Sequence, residues 1–187
     1  TGSRPYQVKI GIAYMHGKGV KKDEKQAVEW FRKAAYAGDI NGQFWLGNCY
    51  KQGIGVDKDY KTAAEWFTKA AAQKDTDSKY MLAALYEEGK YGIDKNLETA
   101  YRWYKSAAED GDAIAQNRIG NLYEYGIGVE KNDRKAFEWY DKAAKNGSLY
   151  ALENLSRFYK NGKGVKTNKQ KAKEYYQIFK ERKEKEG

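Results

Sequence analysis

The chain has 187 residues, 41% of them hydrophobic, enough to build a core in one domain or one elongated array and too many for a disordered tail. With 33% charged residues, a mean hydropathy of −0.98 and no apolar run near the roughly 18 residues of a membrane span, neither a transmembrane helix nor a signal sequence is expected. A single cysteine, Cys49, and a single histidine, His16, exclude an internal disulfide framework, a Cys-rich zinc site and any mechanism needing two imidazoles. The net charge of +9 is uneven: residues 162–187 hold nine cations against four acids, so a solvated basic last helix is expected. Thr1-Gly2-Ser3 reads as a cloning scar and is set aside.

In chain order, a glycine-rich segment returns five times: Gly17-Lys18-Gly19-Val20, Gly53-Ile54-Gly55-Val56, Gly89-Lys90-Tyr91-Gly92-Ile93, Gly126-Ile127-Gly128-Val129 and Gly162-Lys163-Gly164-Val165. Its second glycines stand at 19, 55, 92, 128 and 164, a period of 36 to 37 residues, with one inserted residue in the third copy. Before each segment, Ile10, Leu46, Leu82, Ile119 and Leu155 lie four residues ahead of Tyr14, Tyr50, Tyr86, Tyr123 and Tyr159, on one face of a first helix, A. After each segment, Asp23, Asp59, Asn96, Asn132 and Asn168 are placed to cap a second helix, B, each cap worth about 1 kcal/mol.

Helix B carries Ala27, Trp30, Phe31, Ala34 and Ala35, and one period later Ala63, Trp66, Phe67, Ala70 and Ala71. Ala100, Trp103, Tyr104, Ala107 and Ala108 follow, then Ala136, Trp139, Tyr140, Ala143 and Ala144; the fifth copy weakens to Ala172, Tyr175 and Tyr176. Small residues let helices approach while the aromatic pair fills the space between them. Gly38, Gly111 and Gly147 are placed to end helix B in a left-handed turn, a column that Lys74 breaks. Pro5 is placed to open the first helix. A helix pair of this length cannot bury its apolar face alone, so the expectation is an all-α solenoid of five stacked pairs. Its repeats span approximately 4–38, 39–74, 75–111, 112–147 and 148–183, with a charged tail at 184–187. The lack of an evident N-terminal capping repeat suggests a piece of a longer protein.

These columns, A-x-x-x-L-G-x-x-Y-x-x-G-x-G-V, an acidic or amide cap, then K-A-x-x-W-[FY]-x-K-A-A-x-x-G, resemble the Sel1-like repeat over residues 6–179. Gly47 and Gly120 fit its Leu-Gly pair, Gly11 follows an Ile, and Ala83 and Ser156 replace the glycine. The resemblance implies a right-handed α/α superhelix serving as an adaptor between proteins in signalling, protein quality control or the cell envelope. Separately from the resemblance, a recruitment module of a larger protein, such as one with a kinase domain, is expected. The cysteine-pair members of the family are not matched, Cys49 being alone.

If helix A lines a concave face as in the related tetratricopeptide arrays, its non-core positions make the partner surface. The candidates are Phe44, Asn48, Lys51 and Gln52; Tyr80, Ala84, Glu87 and Glu88; Asn117, Asn121, Glu124 and Tyr125; and Glu153, Arg157, Lys160 and Asn161. Aromatic anchors with amides between them suit a peptide or a loop of a folded protein.

A helical-repeat nucleic-acid reader is the alternative, but 15 of the 28 aromatics sit at core-type columns, and Asn48, Ala84 and Asn121 form no consistent code. Replacing Trp66 or Trp103 by Ala is expected to cost roughly 3–5 kcal/mol. No phosphate-loop, dinucleotide, nucleophile-elbow or zinc-protease motif is present, and His16 and Cys49 fall in different repeats, so no catalysis, cofactor or metal is expected. The lone cysteine favours a cytoplasmic location.

Overall fold

A computed structural model describes residues 4–89 and 92–186. The expected scar at Thr1-Gly2-Ser3, the Lys90-Tyr91 dipeptide of the longer third segment and Gly187 at the end of the tail lie outside the described residues. Among the described residues there are ten α-helices and no strand: α1 Arg4–His16, α2 Glu24–Tyr36, α3 Ile40–Gln52, α4 Tyr60–Ala72, α5 Thr76–Glu88, α6 Leu97–Glu109, α7 Ala113–Tyr125, α8 Asp133–Lys145, α9 Leu149–Asn161 and α10 Lys169–Glu186. Odd-numbered helices are the A helices and even-numbered ones the B helices. Two compact units divide the chain, Thr1–Asn96 with α1 to α5 and Leu97–Gly187 with α6 to α10.

The helix ends follow from the punctuating residues. Asp23, Asp59, Asn132 and Asn168 accept hydrogen bonds from N–H groups in the first turns of α2, α4, α8 and α10, and Asn96 occupies the corresponding place before α6. The A helices have caps of their own, which the sequence reading did not anticipate: Asp39, Asp75, Asp112 and Ser148 accept from Gly42, Ser78, Ala115 and Ala151. Pro5 falls in the first turn of α1, where its missing N–H costs no intrahelical bond.

The two glycines of each segment do different work. The first ends helix A in the left-handed region, as at Gly53 (φ 75°) and Gly162 (φ 70°). From the second segment on, the second rests on the first turn of the preceding B helix: a Cβ on Gly55 would stand 2.3 Å from the Glu24 carbonyl oxygen, and one on Gly164 would stand 2.2 Å from that of Asp133. Backbone cannot yield there, so no side chain fits.

In the first unit, Ala27, Val28, Phe31, Ala34 and Ala35 of α2 pack with Leu46 and Cys49 of α3 in a core completed by Val8, Met15 and Trp66. In the second, Ala136 and Tyr140 of α8 pack with Leu155 and Phe158 of α9. The Leu-Gly column is explained by ring contact, since a Cβ on Gly11, Gly47 or Gly120 would collide with the ring of Phe31, Phe67 or Tyr140.

The tryptophan column departs from expectation. Trp66 is buried, but Trp30, Trp103 and Trp139 are only half-buried, and Lys33, Lys69 and Lys142 lay their ammonium groups 4.4, 4.0 and 4.4 Å from the ring centres of Trp30, Trp66 and Trp139. The lysine one turn on lies over one face of the ring. The following aromatic, Phe31, Phe67, Tyr104 or Tyr140, is the one fully enclosed. Phe67→Ala is therefore expected to cost about 3–5 kcal/mol in urea unfolding, and Trp103→Ala less than half of that.

Lys74 takes the left-handed conformation (φ 71°) that Gly38, Gly111 and Gly147 take at the other B-to-A junctions. Nothing lies within 4 Å of a Cβ built on those three glycines, so the junction demands the backbone angle and not the absence of a side chain. Lysine meets the spatial demand at a conformational cost. Lys74→Gly is expected to stabilise the protein by about 0.5–1 kcal/mol, read as a higher urea midpoint at unchanged slope.

Candidate functional site

The expected partner residues fall into two groups, one in each unit. In the first, Phe44 is half-buried, its ring centre 6.0 Å from those of Trp45 and Phe67. Lys51 of α3 reaches α5, placing Nζ 3.4 Å from the Met81 sulfur. Asn48 does not line a surface: it is buried, and its amide nitrogen donates to the Phe44 carbonyl one turn back, 3.2 Å away. Tyr80, Ala84 and Glu87 are half-buried, and Gln52 and Glu88 exposed.

In the second unit the candidates hold one another. Glu124 of α7 is 1% exposed, correcting its expected place on the partner face. Arg157 of α9 clasps its carboxylate with both terminal nitrogens, Lys163 donates at 2.9 Å and the Tyr140 hydroxyl at 2.8 Å. The position after the helix-A tyrosine faces the next A helix, so a carboxylate there becomes internal once that helix offers a guanidinium.

The same ring of contacts engages the amides. Tyr140 also lies 2.7 Å from the Asn121 Oδ1, Asn154 donates to the Asn117 Oδ1 at 3.0 Å, and Arg157 donates to the Asn154 Oδ1 at 3.0 Å. Arg157 is thus a half-buried cation held by Glu124 and Asn154. Tyr125, Lys160, Glu153 and Asn161 remain exposed.

Electrostatics follow from this enclosure. Burial pushes the Glu124 carboxyl up, but the hydrogen bonds from Arg157, Lys163 and Tyr140 outweigh it and hold it at about 2. The bond to Glu124 raises Arg157, while burial, with the Glu124 charge, raises the Tyr140 phenol. In the first unit, burial and the charge of Glu24 push the Cys49 thiol up to about 12, so at neutral pH it is a protonated core group and no nucleophile.

Among the exposed apolar residues that the sequence reading did not single out, two lie on helix A of the second unit. Ile114 and Tyr150 occupy the same column, second in α7 and α9, and are 63% and 69% exposed. Pro5, Asn41 and Asp77 hold that column in the first unit, so a large apolar residue following the polar Asn41 and Asp77 was the available signal. Ile114, Asn117, Asn121 and Tyr125 recur at helical spacing on one face of α7, and Tyr125 is 62% exposed.

Repeated A–B pairs, glycine-ended A helices and a recessed amide face define an α/α repeat of the kind used for binding. The model of the Sel1 repeat matches residues 5–39, 40–75, 76–112, 113–148 and 149–182, and the chain belongs to that family. A Sel1 repeat protein from Oxalobacter formigenes superposes with a TM-score of 0.90 at 37% identity, over 96% of this chain and 73% of that one. A protective antigen of uropathogenic Escherichia coli strains with an SLR fold superposes with a TM-score of 0.89 at 34% identity over 94% of this chain, which spans 38% of the antigen. Helicobacter pylori cysteine rich protein B aligns over 74% of this chain and 99% of its own at 28% identity, with a TM-score of 0.57. No curated protein gives a significant match.

The chain is thus an all-α repeat protein of a fold that commonly serves protein–protein interaction and is generally non-catalytic. Among the described residues no helix is long and apolar enough to cross a membrane.

The pH dependence of Glu124 is a direct check. Its carboxyl drops from an ordinary 4.5 to about 2 on folding, so its contribution is fully present above pH 4.5 and is lost as pH falls to 2. Urea unfolding across that window should show the parent losing stability more steeply than Glu124→Gln.

Proposed function

We propose that the protein is a non-catalytic adaptor that binds a peptide or a protein loop along the helix-A face of its second unit. The observation that carries this reading is the exposure of Ile114, Tyr125 and Tyr150 around amides that are already held in place. Exposed apolar residues around a fixed polar floor are what an anchored interface requires. Fixed amides also lower the ordering cost of association. The half-buried Phe44, Lys51, Tyr80 and Glu87 of the first unit form a secondary patch in this proposal.

A recruitment role within a larger protein fits the family and the share of the Escherichia coli antigen that this chain spans. A cytoplasmic setting fits a lone buried thiol that needs no oxidising compartment. Nothing favours the nucleic-acid alternative: Phe31, Phe67, Tyr104 and Tyr140 lie in the core, and Trp30, Trp66 and Trp139 each carry a lysine over the ring.

The test is a nuclease-treated pull-down at about 150 mM salt, with the parent beside a Tyr125→Ala, Tyr150→Ala double variant of unchanged melting temperature. A protein retained by the parent and lost by the variant is the expected result. Equal retention by both, or a signal that vanishes with nuclease, would overturn the reading.

A further inference from the structure

A cavity of about 420 Å³ opens in the second unit between α6 and α8, at the start of α7. Gly111, Gln116, Trp139 and Lys142 line it. Two repeats earlier, Gly38, Gln43, Trp66 and Lys69 hold the same places in the first unit, so the two seams compare residue by residue.

In the first unit the seam is closed. Tyr36, the last residue of α2, sets its ring edge-on to Trp66 with the centres 5.2 Å apart, and Lys69 places its ammonium 4.0 Å from the same indole. With both in place Trp66 is 6% exposed. Below them, Gln73 donates to the Gln43 side chain at 2.9 Å and to the Gly38 carbonyl at 3.1 Å.

The second unit keeps the lysine, with Lys142 4.4 Å from the Trp139 ring centre, but has Glu109 where Tyr36 stands. A carboxylate does not pack on an indole as a ring does, and Trp139 is left half-buried. Asn146, one methylene shorter than Gln73, donates to Gln116 at 2.9 Å, and among the described residues no side chain donates to the Gly111 carbonyl. The cavity thus lacks a ring against its indole and a donor on its glycine carbonyl, both of which its counterpart has. Its charges are unequal as well. Glu109 is drawn to Lys105 at 3.7 Å and Lys145 to Asp141 at 2.5 Å, whereas Lys142 is exposed and in no ion pair among the described residues.

We propose that this cavity docks a tyrosine of a partner protein's peptide segment, with an acidic residue beside it. The ring takes the place of Tyr36 against Trp139, the carboxylate faces Lys142, and a backbone N–H of the segment meets the Gly111 carbonyl. Tyrosine suits the seat better than phenylalanine, because Tyr36 in the closed seam stays 74% exposed and the outer edge of the ring meets water.

This surface shares no residue with the Tyr125 and Tyr150 face, so the two readings stand or fall separately. The test is a titration of the parent with acetyl-Gly-Glu-Tyr-Glu-Gly-amide, followed by the indole N–H signals in two-dimensional NMR. Trp139→Phe identifies the Trp139 signal by its loss. That signal is expected to move, and binding to weaken about tenfold when the peptide tyrosine becomes alanine and about threefold when its acids become glutamine. Glu109→Tyr rebuilds the closed seam within the chain and is expected to weaken binding about tenfold or more, whereas Tyr125→Ala, Tyr150→Ala leaves it intact. Should Glu109→Tyr melt early, Lys142→Gln is expected to bring the glutamate and glutamine peptides to parity. A Trp139 signal that stays still, equal binding of the alanine peptide, undiminished binding by a folded Glu109→Tyr, a glutamate preference that survives Lys142→Gln, or parent self-association that the peptide relieves would each overturn the proposal.

Discussion

One backbone hydrogen bond recurs at every A-to-B turn, and the rest of the repeat is built around it. The N–H of the residue that caps helix B donates to the carbonyl of the helix-A tyrosine: Asp23 to Tyr14, Asp59 to Tyr50, Asn96 to Tyr86, Asn132 to Tyr123 and Asn168 to Tyr159, at 2.8–2.9 Å. It closes a loop of constant chord even where the third copy is one residue longer. The left-handed first glycine turns the chain into that loop, and the cap's side chain starts the next helix while its backbone finishes the last one. Losing this geometry would misplace the second glycine, and with it the contact on the preceding B helix.

What was legible in the sequence is whatever a repeat writes in every copy. Helix number and type, the glycine turns, the helix-B caps and the small-residue stripe follow from columns that recur because the same local constraint recurs. The helix-A caps at Asp39, Asp75, Asp112 and Ser148 were legible too, as a column of short acceptor side chains one residue after the helix-B terminator. The tryptophans misled because an aromatic next to another in a helix can be either the core member or the rim member, and hydrophobicity alone does not say which.

The binding face was the least legible part, for a physical reason. Whether a polar helix-A residue meets solvent depends on the residue one period away. Glu124 would be an exposed acid beside an apolar neighbour and is an interior one beside Arg157. Lys160, in the same column, is exposed. A single column read in isolation cannot register that coupling: Asn48 and Glu124, at partner-face positions by their columns, are buried, whereas Ile114 and Tyr150 are exposed.

The sole sulfhydryl of the chain has a further use. Cys49 sits wholly inside the first unit, so a thiol-reactive dye can reach it only when that unit opens. Labelling rates at increasing urea would act as a stopwatch for local unfolding there, blind to the second unit, and comparison with global melting would reveal whether the two units come apart together or one at a time.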